Sequence, residues 1–365
     1  MERVMGVISA NYSSDELGSL TDQRTIASLP FGGRYRLIDF PLSNMVNSGI
    51  STLGIFMPYR YRSIIDHVGA GKEWGLDRKI GGLYILPGSV FGVNSGNHKF
   101  LLRDMRRNMV FLQRSQRPYV LMSATSCVNN MDYAGLLKQH IDTSAGITMV
   151  VKKCDKDNPY LNAVETEFGA VRSIRKGVRC GEMAFIDCFI INHELLMKIL
   201  DWYMAVDYKD LFDALSADLD KIKVCTYEFD GYSRSIHSKE AYFRTSMELL
   251  RYSVRQELFN PDRPVTTKIL DMVPTVYSAK SKVENALIPT GCTVNGTVKD
   301  SILFRGVKVE EGAKVKNSII MQNCVIKRGA IVENAILDRY NVIGSGSVIK
   351  GTEDDILVMD KRNNW

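Results

Sequence analysis

The chain has 365 residues, 45% hydrophobic and 24% charged, a composition that excludes a disordered polymer and suits about two domains with buried cores. The formal net charge is +6, yet the basic runs KKCDK (152–156) and RSIRKGVR (172–179) are short and mixed, which disfavours nucleic acid while suiting small phosphorylated ligands. Seven scattered cysteines without CxxC spacing argue against a disulfide framework, and no leader-like or spanning apolar run is present, so a cytoplasmic protein without a membrane partner is expected.

In chain order, VMGVISA (4–10) reads as a first strand, followed by ISANYSSDELGSLTDQR (8–24) where a phosphate-binding loop would follow such a strand. YRLIDFPLSNMVNSG (35–49) reads as helical, and TLGIFM (52–57), YVLMSA (119–124) and GITMVVKK (146–153) read as strands. YAGLLKQHI (133–141) places Leu136, Leu137 and Ile141 at helical spacing. A further strand, AFIDCFIIN (184–192), leads into the helical HELLMKILDWYM (193–204). A long helix is predicted over 238–258, with Ser238 as its N-cap. This alternation predicts an α/β domain with a mostly parallel sheet over 1–258. The stretch 259–280 holds three prolines and little periodicity, and reads as a linker.

Residues 281–365 follow a different rule. Aliphatic residues recur every six positions: Ile288 and Val294; Val309 and Val315; Ile320, Ile326 and Val332; Ile336, Val342 and Val348. Small or polar residues separate them, which suits a parallel β-helix of hexapeptide repeats with the aliphatics stacked inside; a β-sandwich is the alternative. Such a coil stacks neighbour on neighbour, so an oligomer is expected.

Other candidate sites are sparse. His67, His98, His140, His193 and His237 are isolated in sequence and read as surface or capping residues rather than metal ligands. Cys127 and Cys188 adjoin apolar strands and read as small core residues. No GxSxG or comparable nucleophile motif supports hydrolysis.

An α/β domain before a hexapeptide coil, with PFGGRYRLIDFPLSNMVNSGI (30–50) near its start, resembles the glucose-1-phosphate adenylyltransferases. Matching segments are GKEWGLDRKIGGLYILP (71–87), MDYAGLLKQH (131–140), EAYFRTSMELL (240–250) and VKDSILFRGVKVEEGAKVKNSII (298–320). The resemblance implies a Rossmann-like nucleotidyltransferase domain followed by a left-handed parallel β-helix. It also implies Mg2+-dependent conversion of ATP and glucose 1-phosphate to ADP-glucose and pyrophosphate.

Carried over residue by residue, the resemblance breaks at the chemistry. The family's AGGxGTRL loop falls on ANYSSDEL (10–17), so Asn11, Tyr12 and Ser14 stand at glycine positions and Glu16 at the arginine. Side chains there obstruct close approach of backbone amides to phosphate, and a carboxylate repels a triphosphate. Ile26 takes the place of the lysine of the RAKP segment, and Pro58 that of the adenine-reading glutamine. FLLRDM (100–105) matches the family's GTADAI only loosely, and its EKP motif is absent around 168–176. The two metal-binding aspartates fall on Ser126 and Ser235; Asp132 and Asp230 are the alternatives if the register is shifted.

The implied reading is a catalytically inactive regulatory subunit. It is similar to the second subunit that some Gram-positive bacteria pair with a catalytic one in a heterotetramer for glycogen biosynthesis. No cofactor is expected in this chain, with Mg2+ in the catalytic partner, and a homo-oligomer could form when the chain is alone. Arg34 and Arg36 are the candidates for a sugar-phosphate or anion effector, or for ion pairs across a subunit interface, and the intact 30–50 motif is expected to serve that interface. The alternatives are an active nucleotidyltransferase of altered mechanism and a stand-alone protein binding sugar phosphate or glucan.

Overall fold

The computed structural model describes residues 1–58, 60–88 and 98–361. Strand Val4–Ser9 lies near the middle of a nine-stranded sheet and is buried along its whole length, as a run apolar on both faces requires. It pairs in parallel with Thr52–Met57 and Tyr119–Ala124, and Gly82–Pro87 extends the parallel half. The other half is mostly antiparallel: Met183–Asn192 runs against Tyr119–Ala124 and Ile147–Lys153, a hairpin of Asn158–Glu167 and Ala170–Val178 forms one edge, and Val224–Glu228 pairs in parallel with Ile147–Lys153. The sheet is therefore a parallel core with a mostly antiparallel flank. That hairpin has no expectation among the sequence-predicted elements, because its strands carry exposed charged residues rather than an apolar run.

Two sequence-predicted elements change on folding. The helical stretch 35–49 begins only at Asp39, giving helix Asp39–Asn47, because Pro30–Phe31 and Tyr35–Arg36 pair as a small hairpin. Gly32 and Gly33 turn that hairpin with φ of 56° and 81°, and a Cβ on Gly33 would lie 3.1 Å from the Leu303 carbonyl oxygen of the coil. The helix over 238–258 splits into Lys239–Glu248 and Tyr252–Leu258. Ser238 does cap the first, accepting from the Ala241 N–H at 3.1 Å, and at the break Arg255 donates to the Leu249 and Leu250 carbonyls.

The coil is a parallel β-helix whose central rungs repeat every 17 residues rather than 18: Val309, Ile326 and Ile343 pair in register, as do Val315, Val332 and Ile349. Its corners use left-handed backbone at the same spacing, at Asp300, Asn317 and Asn334, and again at Gly312, Gly329 and Gly346. The missing residue shifts the last repeat by one. Ile343 is buried at 3% exposure, whereas Val342 is half-buried and Val348 is 60% exposed, because a one-residue shift turns a strand side chain to the other face. Each fully buried aliphatic in this column contributes about 1.5–3 kcal/mol. The first coil strand, Val276–Tyr277, lies inside the stretch read as linker and pairs with Thr293–Val294.

The 30–50 motif is packed within its own chain. Seven of the nine residues of helix Asp39–Asn47 are buried, Ser43 Oγ accepts from the Thr266 N–H at 2.9 Å, and Asn47 Nδ2 donates to the Pro264 carbonyl at 3.0 Å. Tyr242 donates its hydroxyl to the Pro30 carbonyl at 2.7 Å. Much of the motif is thus held by packing within its own chain. Among the described residues, no helix is long and apolar enough to cross a membrane.

Candidate functional site

Strands Val4–Ser9 and Tyr119–Ala124 are parallel, so their carboxyl ends open on the same edge, where ligands of such sheets bind. The short ladder of Cys127–Asn129 with Ser233–Ser235 completes this edge. Ser235 pairs with Cys127, and the Ile236 N–H donates to the Ser126 carbonyl at 2.7 Å. The two aligned aspartate positions are therefore neighbours, as a shared metal would require. The shifted alternative fails: Asp132 caps helix Tyr133–Asp142 and pairs with Arg263, and Asp230 is exposed.

The loop after the first strand lines a cavity of about 440 Å³ with Ile26, Pro58 and Arg60, and its side chains bond back into the protein. Tyr12 is 4% exposed; its hydroxyl lies 2.8 Å from Thr125 Oγ1 and accepts from the Thr125 N–H at 2.9 Å. Burial pushes its phenol pKa far up, so it stays neutral. Asn11 Nδ2 donates to Asp104 Oδ2 at 2.6 Å, and Ser14 Oγ donates to the His237 carbonyl. No residue from 11 to 17 takes a positive φ, so the backbone forms no glycine-type phosphate nest. Glu16 is exposed, Ile26 is core at 2% exposure, and Pro58 is buried at the end of its strand.

Two residues of this centre carry no sequence motif. Asp187 sits inside strand Met183–Asn192 with φ of 57°, where the pairing register with Ile147–Lys153 breaks between Phe185 and Phe189. Its carboxylate accepts from Ser126 Oγ at 2.8 Å and forms a buried ion pair with Lys99. Ser235 Oγ is buried without a partner among the described residues. Burial first, and then the charges of Lys99 and Arg244, hold the His237 pKa down to about 4, so its imidazole is neutral near pH 7. The surroundings do not fit Mg2+, which asks for anionic oxygens: two serines replace the aspartates, and the one carboxylate present already holds an ammonium.

Two histidines depart from expectation, whereas the two cysteines follow it. His67 and His140 are core residues rather than surface or capping ones: His67 Nε2 lies 2.6 Å from Asp39 Oδ1, and His140 bridges Thr148 and Asn192. Cys127 and Cys188 are buried as small core residues, and burial pushes both thiols up to about 12.

Arg34 and Arg36 face a cavity of about 330 Å³ between the α/β domain and the coil. The coil supplies Arg305, Gln322 and Arg339, which occupy one corner on three successive rungs, and Lys268 adds a further cation. Arg305 Nε, Gln322 Oε1 and Arg339 Nε are buried without partners among the described residues. Arg36 donates its guanidinium to the Ser63 carbonyl and its backbone N–H to Asp39 Oδ2 at 2.9 Å; Asp66 lines the same cavity, and among the described residues no carboxylate forms an ion pair with the Arg34 or Arg36 guanidinium. Burial and the charge of Arg339 lower the Arg36 pKa to about 10; burial, then Arg34, lowers Arg305 in the same direction. Crowded, part-desolvated guanidinium groups with free N–H donors form a receptor for a polyoxyanion. Only Arg34 and Arg36 were candidates from sequence; Arg305 and Arg339 become legible once the 17-residue rung places them on one corner.

Comparison with known proteins agrees with both halves. Residues 13–175 match the nucleotidyl transferase family model, and 271–356 match a GlmU-like C-terminal hexapeptide model. The chain is 33% identical over 317 residues to glycogen biosynthesis protein GlgD of Bacillus subtilis, covering 86% of this chain and 82% of the relative. It is 35% identical over 313 residues to the GlgD of Geobacillus stearothermophilus, covering 86% and 83%. It is 30% identical over 331 residues to a glucose-1-phosphate adenylyltransferase of Fusobacterium nucleatum, covering 86% and 84%.

Proposed function

The chain belongs to the family of GlgD and glucose-1-phosphate adenylyltransferase, and on that premise we propose that it is a non-catalytic, regulatory subunit of a glucose-1-phosphate adenylyltransferase in bacterial glycogen biosynthesis. The observation that carries this reading is a centre without a carboxylate pair or a phosphate nest. Ser126 and Ser235 stand side by side where two metal-binding carboxylates are expected, and Tyr12 fills the loop that would cradle phosphate. Without a metal and a phosphate nest, both positioning and charge neutralisation of a transferring nucleotidyl group are lost.

The catalytic partner supplies Mg2+ and the chemistry, and this chain biases the partner between states of different activity, which requires differential contact with those states. Exposed apolar residues at the first coil strand suit such a contact: Ile269 is 70% exposed, Val273 72% and Val276 58%. The arginine-lined cavity is the effector site in this reading, taking a sugar phosphate or an inorganic anion through Arg34, Arg36, Arg305 and Arg339. Co-expression with a catalytic adenylyltransferase subunit tests the proposal. A verified mixed assembly whose apparent substrate affinity or maximal rate differs from that of the catalytic subunit alone supports it, and unchanged kinetics after co-assembly refute it.

A further inference from the structure

A carboxylate in an apolar interior must be protonated or met by a cation, so the charge of Asp187 requires a partner. Here the partner is covalently attached to the chain. The Lys99 ammonium pairs with Asp187 Oδ2, which also accepts from Ser126 Oγ at 2.8 Å, and the two ionic side chains are only 9% and 7% exposed. The arrangement is held from both sides. Asp187 keeps a left-handed backbone, rare outside glycine though Asp and Asn adopt it more readily than other residues, at a break in strand register that aims its carboxylate into the centre. The Lys99 carbonyl accepts from Ser9 Oγ, and the next N–H, of Phe100, donates to Asp210 Oδ2 at 2.7 Å.

Resting on the reading of a non-catalytic centre, the geometry points to Lys99 as a built-in cation that takes the place of a divalent ion beside Ser126, Ser235 and Asp187. A divalent ion entering this space would meet one carboxylate already shared with an ammonium, leaving a net charge of about +2 among buried groups. The centre thus keeps its fold without metal and excludes metal by like charge.

Thermal unfolding of the full chain in EDTA, Mg2+ and Mn2+, with bound Mn2+ counted by electron paramagnetic resonance, tests this for the wild type, Lys99→Met, Asp187→Asn and Lys99→Met/Asp187→Asn. The wild type is expected to melt at one temperature in all three conditions and to hold no Mn2+. Lys99→Met, with a buried carboxylate left unpaired, is expected to melt several degrees lower and to recover part of that loss in Mn2+. The double variant is expected to recover most of the loss without Mn2+ and to ignore the ion. Should Lys99→Met prove insoluble, the wild type and the double variant still decide. Mn2+ held by the wild type and lost in Asp187→Asn overturns the proposal, as does a Lys99→Met variant as stable as the wild type or a double variant no more stable than Lys99→Met. Nucleotidyl transfer is scored separately: Mn2+ binding by an inactive wild type defeats the Lys99 proposal alone, whereas activity without bound metal defeats the regulatory reading alone.

Discussion

The centre at the carboxyl edge of the sheet and the arginine-lined cavity beside the coil treat their polar groups in opposite ways. In the first, Tyr12 meets Thr125, Asn11 meets Asp104, and Ser126 and Lys99 share Asp187, with Ser235 Oγ and His237 Nδ1 left over. In the second, two guanidinium Nε groups and the Gln322 carbonyl oxygen are buried with no partner among the described residues. A site whose donors and acceptors are matched internally resists a ligand, because binding must first break those bonds. A site with orphaned donors gains from one, since each buried unsatisfied group carries a penalty of about 1–3 kcal/mol. Both sites keep a cavity; the difference lies in whether the polar groups around it already have partners.

The largest effect is expected at the arginine-lined cavity. Arg305→Ala combined with Arg339→Ala removes two cations from one corner of the coil and should weaken inorganic phosphate binding by roughly 10²–10⁴-fold in calorimetric titration. Phosphate binding unchanged by this pair would break the comparison from that side. At the sheet-edge centre, Ser126→Asp with Ser235→Asp sets new carboxylates beside Asp187, costing about 2 kcal/mol of stability in denaturant melts without giving nucleotidyl transfer. Tyr12→Phe leaves the Thr125 N–H without its acceptor and should cost about 1–2 kcal/mol, read from the denaturation midpoint.

A smaller effect follows from His237. Its folded pKa of about 4 lies below the ordinary 6.5, depressed first by burial, then by Lys99 and Arg244, with Asp187 and Glu240 opposing. Between those values the unfolded chain binds more protons, so this residue stabilises the fold above pH 6.5 and loses that contribution as pH falls toward 4. His237→Gln should flatten the stability profile in that window, as measured by melts at stepped pH. Glu16→Arg is expected to change least, within about 0.5 kcal/mol, because Glu16 is exposed; restoring that cation alone should not create ATP binding.

Much of the architecture was legible because it rests on period. The buried strands Val4–Ser9, Thr52–Met57 and Tyr119–Ala124 stand out as apolar runs, and the coil as a recurrence of aliphatics. Its true rung of 17 was hidden, because runs of two or three six-residue steps look alike until pairing fixes Val342 outward and Ile343 inward. The break in helix 238–258 was equally hidden, since it depends on the Arg255 side chain taking carbonyls that a continuous helix would bond itself. At the centre, the register that placed Ser126 beside Ser235 was readable, but the Lys99–Asp187 pair was not. Those residues are 88 positions apart, and neither belongs to a motif.

A centre that does no chemistry releases no pyrophosphate: purified chain given Mg2+, ATP and glucose 1-phosphate, with a catalytic subunit as positive control, is expected to be indistinguishable from the enzyme-free background. Sustained release that scales with the concentration of this chain alone, and disappears in Lys99→Met/Asp187→Asn, would contradict it.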